Sequence, residues 1–423
     1  MKTLKTGIVL LVLLLATMAM VPMVSAVEQK ITTASSDQTV VTAVDASKMV
    51  VPNLHFDNSQ KTVMVNGELS PRQNLQTAQM TAISMASGVN AIPFGSIIYH
   101  AKDGVTTVFD SKGNQLFTAE DAKSVRVSTP QNDAPATFVH EVPSGSISRE
   151  VDGTTYVFYN GELILTIINE NVQDSAEIRS INTDDQQNGL PSLSGANSRI
   201  NAALANYLGW IEYTESTPVT ASRFEATWVA PTSTPLNSGV RESLGIWNGI
   251  ERTGIDGVMQ PVLMWNFCAY GDAQIHNNYV GSAWDYQTTS NPNKDSLHST
   301  PISVLPGDTV KGILQWSPTL NCWIIQFNNI RSGQTTAYYS SRFPRDNLKL
   351  YVVLEAAAAG IKPNNNSLTG SITFNNIIVQ NQGSNVAVTF TGHVMSGASS
   401  IFPGLSAVVS TNPQLQLFLR TGR

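Results

Sequence analysis

Short stretches of the chain alternate apolar and polar residues with a period of two, and Gly, Pro, Asn or Asp interrupts them. That period is the pattern of a half-buried β-strand. Arg223–Val229 (RFEATWV), Thr300–Leu305, Thr309–Trp316, Cys322–Phe327, Thr369–Phe374, Val386–Phe390 and Leu415–Leu419 all read this way. Pro306-Gly307-Asp308 makes a turn between two of them. Strands at roughly 8–12-residue spacing, with few helical patterns, predict an all-β sandwich or jelly roll. One stretch, Leu69–Ala86 (LSPRQNLQTAQMTAISMA), reads as a helix, with Ser70-Pro71 at its start and Gly88 past its end. The alanines of 356–359 and Gly360 are expected to break the strand pattern as a turn or bulge.

Upstream lies an internal repeat. Gly95-Ser-Ile leads to Asp103-Gly104, a Thr-rich run and Lys112-Gly113; Gly145-Ser-Ile leads to Asp152-Gly153, a Thr-rich run and Asn160-Gly161. Asp-Gly and Asn-Gly between alternating runs predict hairpins, and two copies predict a small β-module. The polar, Gly/Pro/Ser-containing stretch 174–200 reads as a linker. All seven tryptophans and both cysteines follow it. The predicted organisation is a signal peptide over 1–26, a β-rich module over 27–173, the linker over 174–200 and a β-sandwich over 201–423.

Composition places this organisation outside the cell. Lys2 and Lys5, the apolar run 7–20 and Val24-Ser25-Ala26 form the three parts of a secretory signal, with cleavage after Ala26; the other reading is an uncleaved anchor, since the run nearly reaches spanning length. No further span is expected. Charged residues make up 13% of the 423 residues and the net charge is −6, which argues against nucleic acid or an anionic membrane as partner. In an exported chain Cys268 and Cys322 can pair as a disulfide; two buried thiols are the alternative. No Cys/His run has zinc spacing, and neither metal nor cofactor is expected.

The stretch with most chemistry is Leu244–Trp265, LGIWNGIERTGIDGVMQPVLMW. It reads as strand, turn, strand, with Gly254-Ile-Asp-Gly257 as the turn. Gln260 is a polar amide among aliphatic neighbours, so it is either a satisfied core amide or a group aimed into a site. Leu350–Glu355 (LYVVLE) is a second apolar run that ends in a carboxylate. Period two puts Tyr351, Val353 and Glu355 on one face. A carboxylate on such a face is paired or poised. Gly-x-Ser-x-Gly, Asp-Thr/Ser-Gly, His-Glu-x-x-His, a P-loop and a dinucleotide fingerprint are all absent from the sequence.

The C-terminal part resembles the glutamic peptidases, or eqolisins. The pieces that carry the likeness run in family order over about residues 205–395: Phe224–Pro231, Ile246-Trp-Asn-Gly-Ile250, Val258-Met-Gln260, Ala283-Trp284, Ile302–Val310, Tyr351–Glu355 and Gly370–Phe374. The resemblance implies a concanavalin A-like, two-sheet antiparallel β-sandwich and a secreted, acid-acting, pepstatin-insensitive endopeptidase with a protein or peptide substrate. It implies Gln260 and Glu355 as the catalytic pair. Glu355 would activate water and later return the proton, and Gln260 would hold the water and the oxyanion. Trp247, Trp284, Asp285 and Tyr351 are expected to line the substrate groove, and the N-terminal module reads as a pro-segment. The chain departs from the family at Pro261, which cannot donate a ladder bond, after Trp284, where Asp285-Tyr286-Gln287 replaces the family's Glu-Trp, and in the longer stretch between Gln260 and Trp284. Two other functions stay open: a non-catalytic, lectin-like sandwich that binds carbohydrate or cell-surface polymer, and a glycoside hydrolase needing a second carboxylate such as Asp285 or Glu225.

Overall fold

A computed structural model describes residues 49–57, 62–69, 83–84, 92–124, 126–130, 133–170, 209–232, 242–265, 278–287, 294–358, 371–394, 405–409 and 415–419. The signal segment, the linker and Cys268 lie outside these residues. Cys322 is buried at the start of the strand Cys322–Asn329. Among the described residues no helix is long and apolar enough to cross a membrane.

The chain is all-β, with two large sheets in a sandwich-like arrangement. The first has ten strands. Its path runs Phe390–Val394, Gly209–Ser216, Leu348–Ala358, Glu242–Arg252, Val258–Trp265, Tyr279–Tyr286, Ser296–Ser299, Val139–Val142, Ile83–Ser84, and Ile302–Val304 pairs off this path. The second has fourteen strands. Thr309–Ser317 lies within it between Arg223–Val229 and Cys322–Asn329.

Both sheets continue from the C-terminal residues into the N-terminal ones. Val139–Val142 pairs in parallel with Ser296–Ser299, and Ser146–Val151 pairs in parallel with Thr335–Ser340. The repeat forms the end of the second sheet. Its two halves meet where Glu162–Asn169 runs parallel to Ser96–His100. Its hairpins turn where expected: Asp152, Gly153, Asn160 and Gly161 all have positive φ, as tight two-residue hairpin turns require.

Three local expectations are corrected. Ile83 and Ser84, within the stretch read as a helix, pair in parallel with His140 and Glu141, so tertiary pairing overrides helix propensity there; residues 70–82 and 85–86 lie outside the described residues. The strand that holds Glu355 does not stop at it but runs to Ala358, because Ala356, Ala357 and Ala358 pair with Leu244, Ser243 and Glu242. The strand expected over Val386–Phe390 is instead Phe390–Val394.

The main core lies between the sheets. Trp228, Trp323, Phe327, Tyr338 and Phe374 fill it with Ile246, Met259, Leu263 and Leu354. Two glycines set how closely the layers approach. A Cβ on Gly281 would come 1.9 Å from the Phe327 ring, and one on Gly312 would come 2.0 Å from Asn248 Oδ1 and 2.7 Å from the Pro261 ring. Pro261 therefore points into the core between the sheets. Its neighbour Gln260 points to the opposite face, as strand alternation demands.

Candidate active site

The candidate face belongs to the first sheet, on the side away from the main core. The register places its residues. Glu355 is opposite Gly245, Val353 opposite Trp247 and Tyr351 opposite Gly249. Trp247 is opposite Val262, and Gln260 is opposite Trp284. The ladder between Glu242–Arg252 and Val258–Trp265 lapses after Trp247–Val262 and resumes at Ile250–Met259. The lapse falls at Pro261, which has no N–H to give. Gln260, Trp247, Trp284, Tyr351 and Glu355 thus share one face, and Trp247, Val262, Met264, Trp284, Tyr351 and Val353 pack there as one cluster.

Asp285 does not join them. It follows Trp284 on the same strand and so points the other way. There it forms a close ion pair with Arg342 and accepts from Ser340 Oγ at 2.6 Å. It is a fixed, paired carboxylate rather than a groove residue.

Glu355 is 2% exposed and accepts from Trp247 Nε1 at 2.9 Å through Oε2; its other oxygen has no partner among the described residues. Burial pushes its carboxyl well above the ordinary range, and the single Trp247 hydrogen bond opposes this only in part. Burial therefore favours its protonated form over the carboxylate. Gln260 is fully buried, and neither its carbonyl oxygen nor its amide nitrogen has a partner among the described residues. A core amide would be satisfied; an orphaned one costs about 1–3 kcal/mol. Gln260 is therefore the kind of group that is built for something other than packing.

The two are not neighbours across the sheet. Gln260 stands level with Gly249, whereas Glu355 stands level with Gly245, two strands away from the Gln260 strand. Ideal strand spacings put their backbones about 13 Å apart along the strands and about 10 Å apart across them. The Trp247 indole spans part of that gap. A Cβ on Gly249 would lie 2.8 Å from one end of the indole, and one on Gly245 would lie 3.7 Å from the other.

A second carboxylate stands closer to Gln260. Glu251 lies on the same face two residues beyond Gly249, one diagonal step from Gln260, at about 7–8 Å between Cα atoms. It is half-buried and accepts from Tyr351 Oη at 2.8 Å. Burial raises its carboxyl, opposed by Tyr351 and Lys349. Continuing the alternation 247, 249, 251 through the sequence would have found it.

The face is covered, not open. Trp247, Trp284 and Tyr351 were expected as exposed groove walls, yet all are fully buried. Val127, Ala134, Ala136 and Val139 complete their hydrophobic cluster, and half-buried Trp210 packs edge-on to Trp247 at 5.1 Å between ring centroids. Trp284 stacks on His298 at 4.3 Å. The physical reason is topological. Once Val139–Val142 joins the sheet beside Ser296–Ser299, the segment before it, a hairpin of Arg126–Ser128 and Asp133–Pro135, lies against this face.

No protein-family profile and no curated protein matches the chain. Among solved structures, similar ones include scytalido-glutamic peptidase with a transition-state analogue inhibitor (TM-score 0.36, 14% identity, 51% of this chain and 98% of that one). SCP-B, a member of the eqolisin family of peptidases in complex with the tripeptide Ala-Ile-His, gives a TM-score of 0.33 at 14% identity with the same coverage. Galectin-Ib of Xenopus laevis gives 0.21 at 9% identity, over 42% of this chain and 98% of that one. At such scores the likeness adds no argument to that of the residues themselves.

Proposed function

We propose that this chain is a secreted acid endopeptidase of the glutamic type, held in a form whose working face is covered by its own N-terminal segment. The observation that carries the reading is Gln260, a fully buried amide with no partner among the described residues, on the same face as Glu355 and Trp247. The sequence resemblance independently singles out Gln260 and Glu355.

The chemistry follows from the residue types. With the cover displaced, Glu355 meets water and ionises, since burial is what keeps it neutral. The carboxylate takes a proton from the water that attacks the peptide carbonyl. The Gln260 amide donates to the tetrahedral oxyanion, and the protonated Glu355 returns the proton to the leaving amine nitrogen. An amide does not titrate, so Gln260 serves equally at acid pH. The register makes one further demand: the Trp247 indole must move for Glu355 to share a water with Gln260. Glu251 can share one without that movement.

The second reading is a non-catalytic, lectin-like sandwich. The separation of Gln260 and Glu355 in register, and the sealing of both, favour it.

The test is hydrolysis of a denatured protein by the full chain between about pH 2 and 7, with pepstatin present. Wild type should cleave once the cover is displaced, and Gln260→Ala should then lose about 100- to 1,000-fold in kcat. Loss in Glu355→Gln with Glu251→Gln active assigns Glu355 as the base; the reverse assigns Glu251. Absence of any cleavage, with the cover also removed, leaves the binding reading.

A further inference from the structure

The other buried polar cluster lies where the N-terminal strands meet the sandwich, and it is independent of the peptidase reading. His100 ends the strand Ser96–His100, His140 sits in Val139–Val142, and Asp295 immediately precedes Ser296–Ser299. All three are buried. His100 Nε2 lies 2.9 Å and His140 Nε2 lies 2.6 Å from the same carboxylate oxygen, Asp295 Oδ1. The three ligand-capable atoms lie within 4.8 Å of one another.

The hydrogen-bond pattern at this cluster calls for a positive charge between His100 and Asp295. Thr106 has a single hydroxyl proton, which it gives to Asp121 Oδ1 at 2.5 Å. Its oxygen, 2.7 Å from His100 Nδ1, must therefore accept from that nitrogen. A neutral imidazole protonated at Nδ1 turns a bare lone pair at Nε2 toward the Asp295 oxygen. Two lone pairs at 2.9 Å repel unless a positive charge lies between them. The same second partners are those a metal site uses. A ligating imidazole characteristically gives its other N–H to an oxygen that is itself held by a carboxylate, and a ligating carboxylate has its second oxygen hydrogen-bonded. Here Thr106 and Asp121 fix His100, and Asn169 Nδ2 donates to Asp295 Oδ2 at 3.1 Å.

We propose that His100, His140 and Asp295 form a divalent transition-metal site, suited to zinc, that ties the N-terminal strands to the sandwich. Two imidazole nitrogens and one carboxylate oxygen are a borderline donor set that suits zinc, and three protein ligands leave a fourth position for water. A tetrahedral ion at about 2.0–2.1 Å from each ligand sets neighbouring ligand atoms about 3.3 Å apart. The observed atoms lie on both sides of that spacing, so side-chain adjustment of about an ångström assembles the site. The ligands come from positions 100, 140 and 295, which is why no short motif announces them.

The experiment is equilibrium dialysis of the full-length, chelator-treated protein against zinc, with cobalt absorption spectra taken in parallel. One equivalent of zinc per chain is expected, with cobalt giving the intense visible bands of a four-coordinate site. His140→Gln and Asp295→Asn should abolish stoichiometric binding, and Thr106→Val should weaken it by about 10- to 100-fold. Exposed His55→Gln should leave it unchanged. If the ligand variants fail to fold, the cobalt spectrum of wild type still decides. No zinc retained by folded wild type, or binding that survives His140→Gln in a folded variant, overturns the proposal; the charge between His100 and Asp295 is then a proton.

Discussion

Two carboxylates, Asp295 and Glu355, are buried to nearly the same degree, yet their environments push them in opposite directions. Burial works to raise both. At Asp295 the adjacent His100 and His140 imidazoles outweigh it and hold the carboxyl well below its ordinary value. At Glu355 only Trp247 opposes burial, and the carboxyl is driven well above the ordinary range. Dryness alone decides neither case; the partners do. Asp295 is built as a fixed charge at a junction. Glu355 is built as a neutral acid whose state changes when its surroundings do. The buried amides at the two sites differ in the same sense. Asn169 is hydrogen-bonded to Asp295, and Gln260 has no partner among the described residues.

The largest expected effects break this comparison outright. On the proposed peptidase reading, Glu355→Gln in the uncovered protein should lower kcat by about 100- to 10,000-fold, the ordinary worth of a general acid–base group. The same substitution in the covered form should change stability by no more than about 1 kcal/mol, because a neutral amide replaces a neutral acid of the same shape. Asp295→Ala should behave oppositely, costing about 3–5 kcal/mol in denaturant melts by stranding two buried imidazoles. Equal stability losses in the two variants would erase the distinction.

A smaller effect sharpens it through pH. Glu355 has a folded-state value above its unfolded one, so its contribution to stability is fully present below about pH 4.5 and is lost as pH rises. Glu212 adds to this, since burial pushes it up to about 8 against a backbone hydrogen bond from Ser406. Asp295 has the opposite sign: its contribution is present above about pH 3.8 and is lost as pH falls below that. Buried His298, held down to about 4 by desolvation, likewise contributes above about pH 6.5 and loses that contribution toward pH 4. Melting temperature measured against pH should therefore fall on both sides. Glu212→Gln should flatten the alkaline limb, and His298→Gln the acid one. Trp247→Phe removes the only donor to Glu355 among the described residues and should cost about 1–3 kcal/mol.

The fold was largely legible because its signals are local. Period two, Asp-Gly and Asn-Gly turns, and the Pro-Gly-Asp turn each act within a few residues, and Leu415–Leu419 and Arg223–Val229 form with the predicted bounds. The shared face of Trp247, Tyr351 and Glu355 was legible for the same reason. Its covering was not, because parallel pairing of Val139–Val142 with Ser296–Ser299 joins residues more than 150 positions apart. The same long-range pairing buries the tryptophans that were expected to be exposed, and brings His140 to Asp295. Asp285 was misplaced by a step that alternation could have caught, since it cannot share a face with Trp284.

The central claim is that the face under Val127–Val139 is a hydrolytic site. The most direct test is to loosen that cover within the full chain, by placing a charge at fully buried Ala136 (Ala136→Asp), and to measure cleavage of a denatured protein at one acid pH. The account predicts faster cleavage than by wild type, abolished when Gln260→Ala is added. No cleavage by the folded Ala136→Asp protein, or cleavage indifferent to Gln260→Ala, would contradict it.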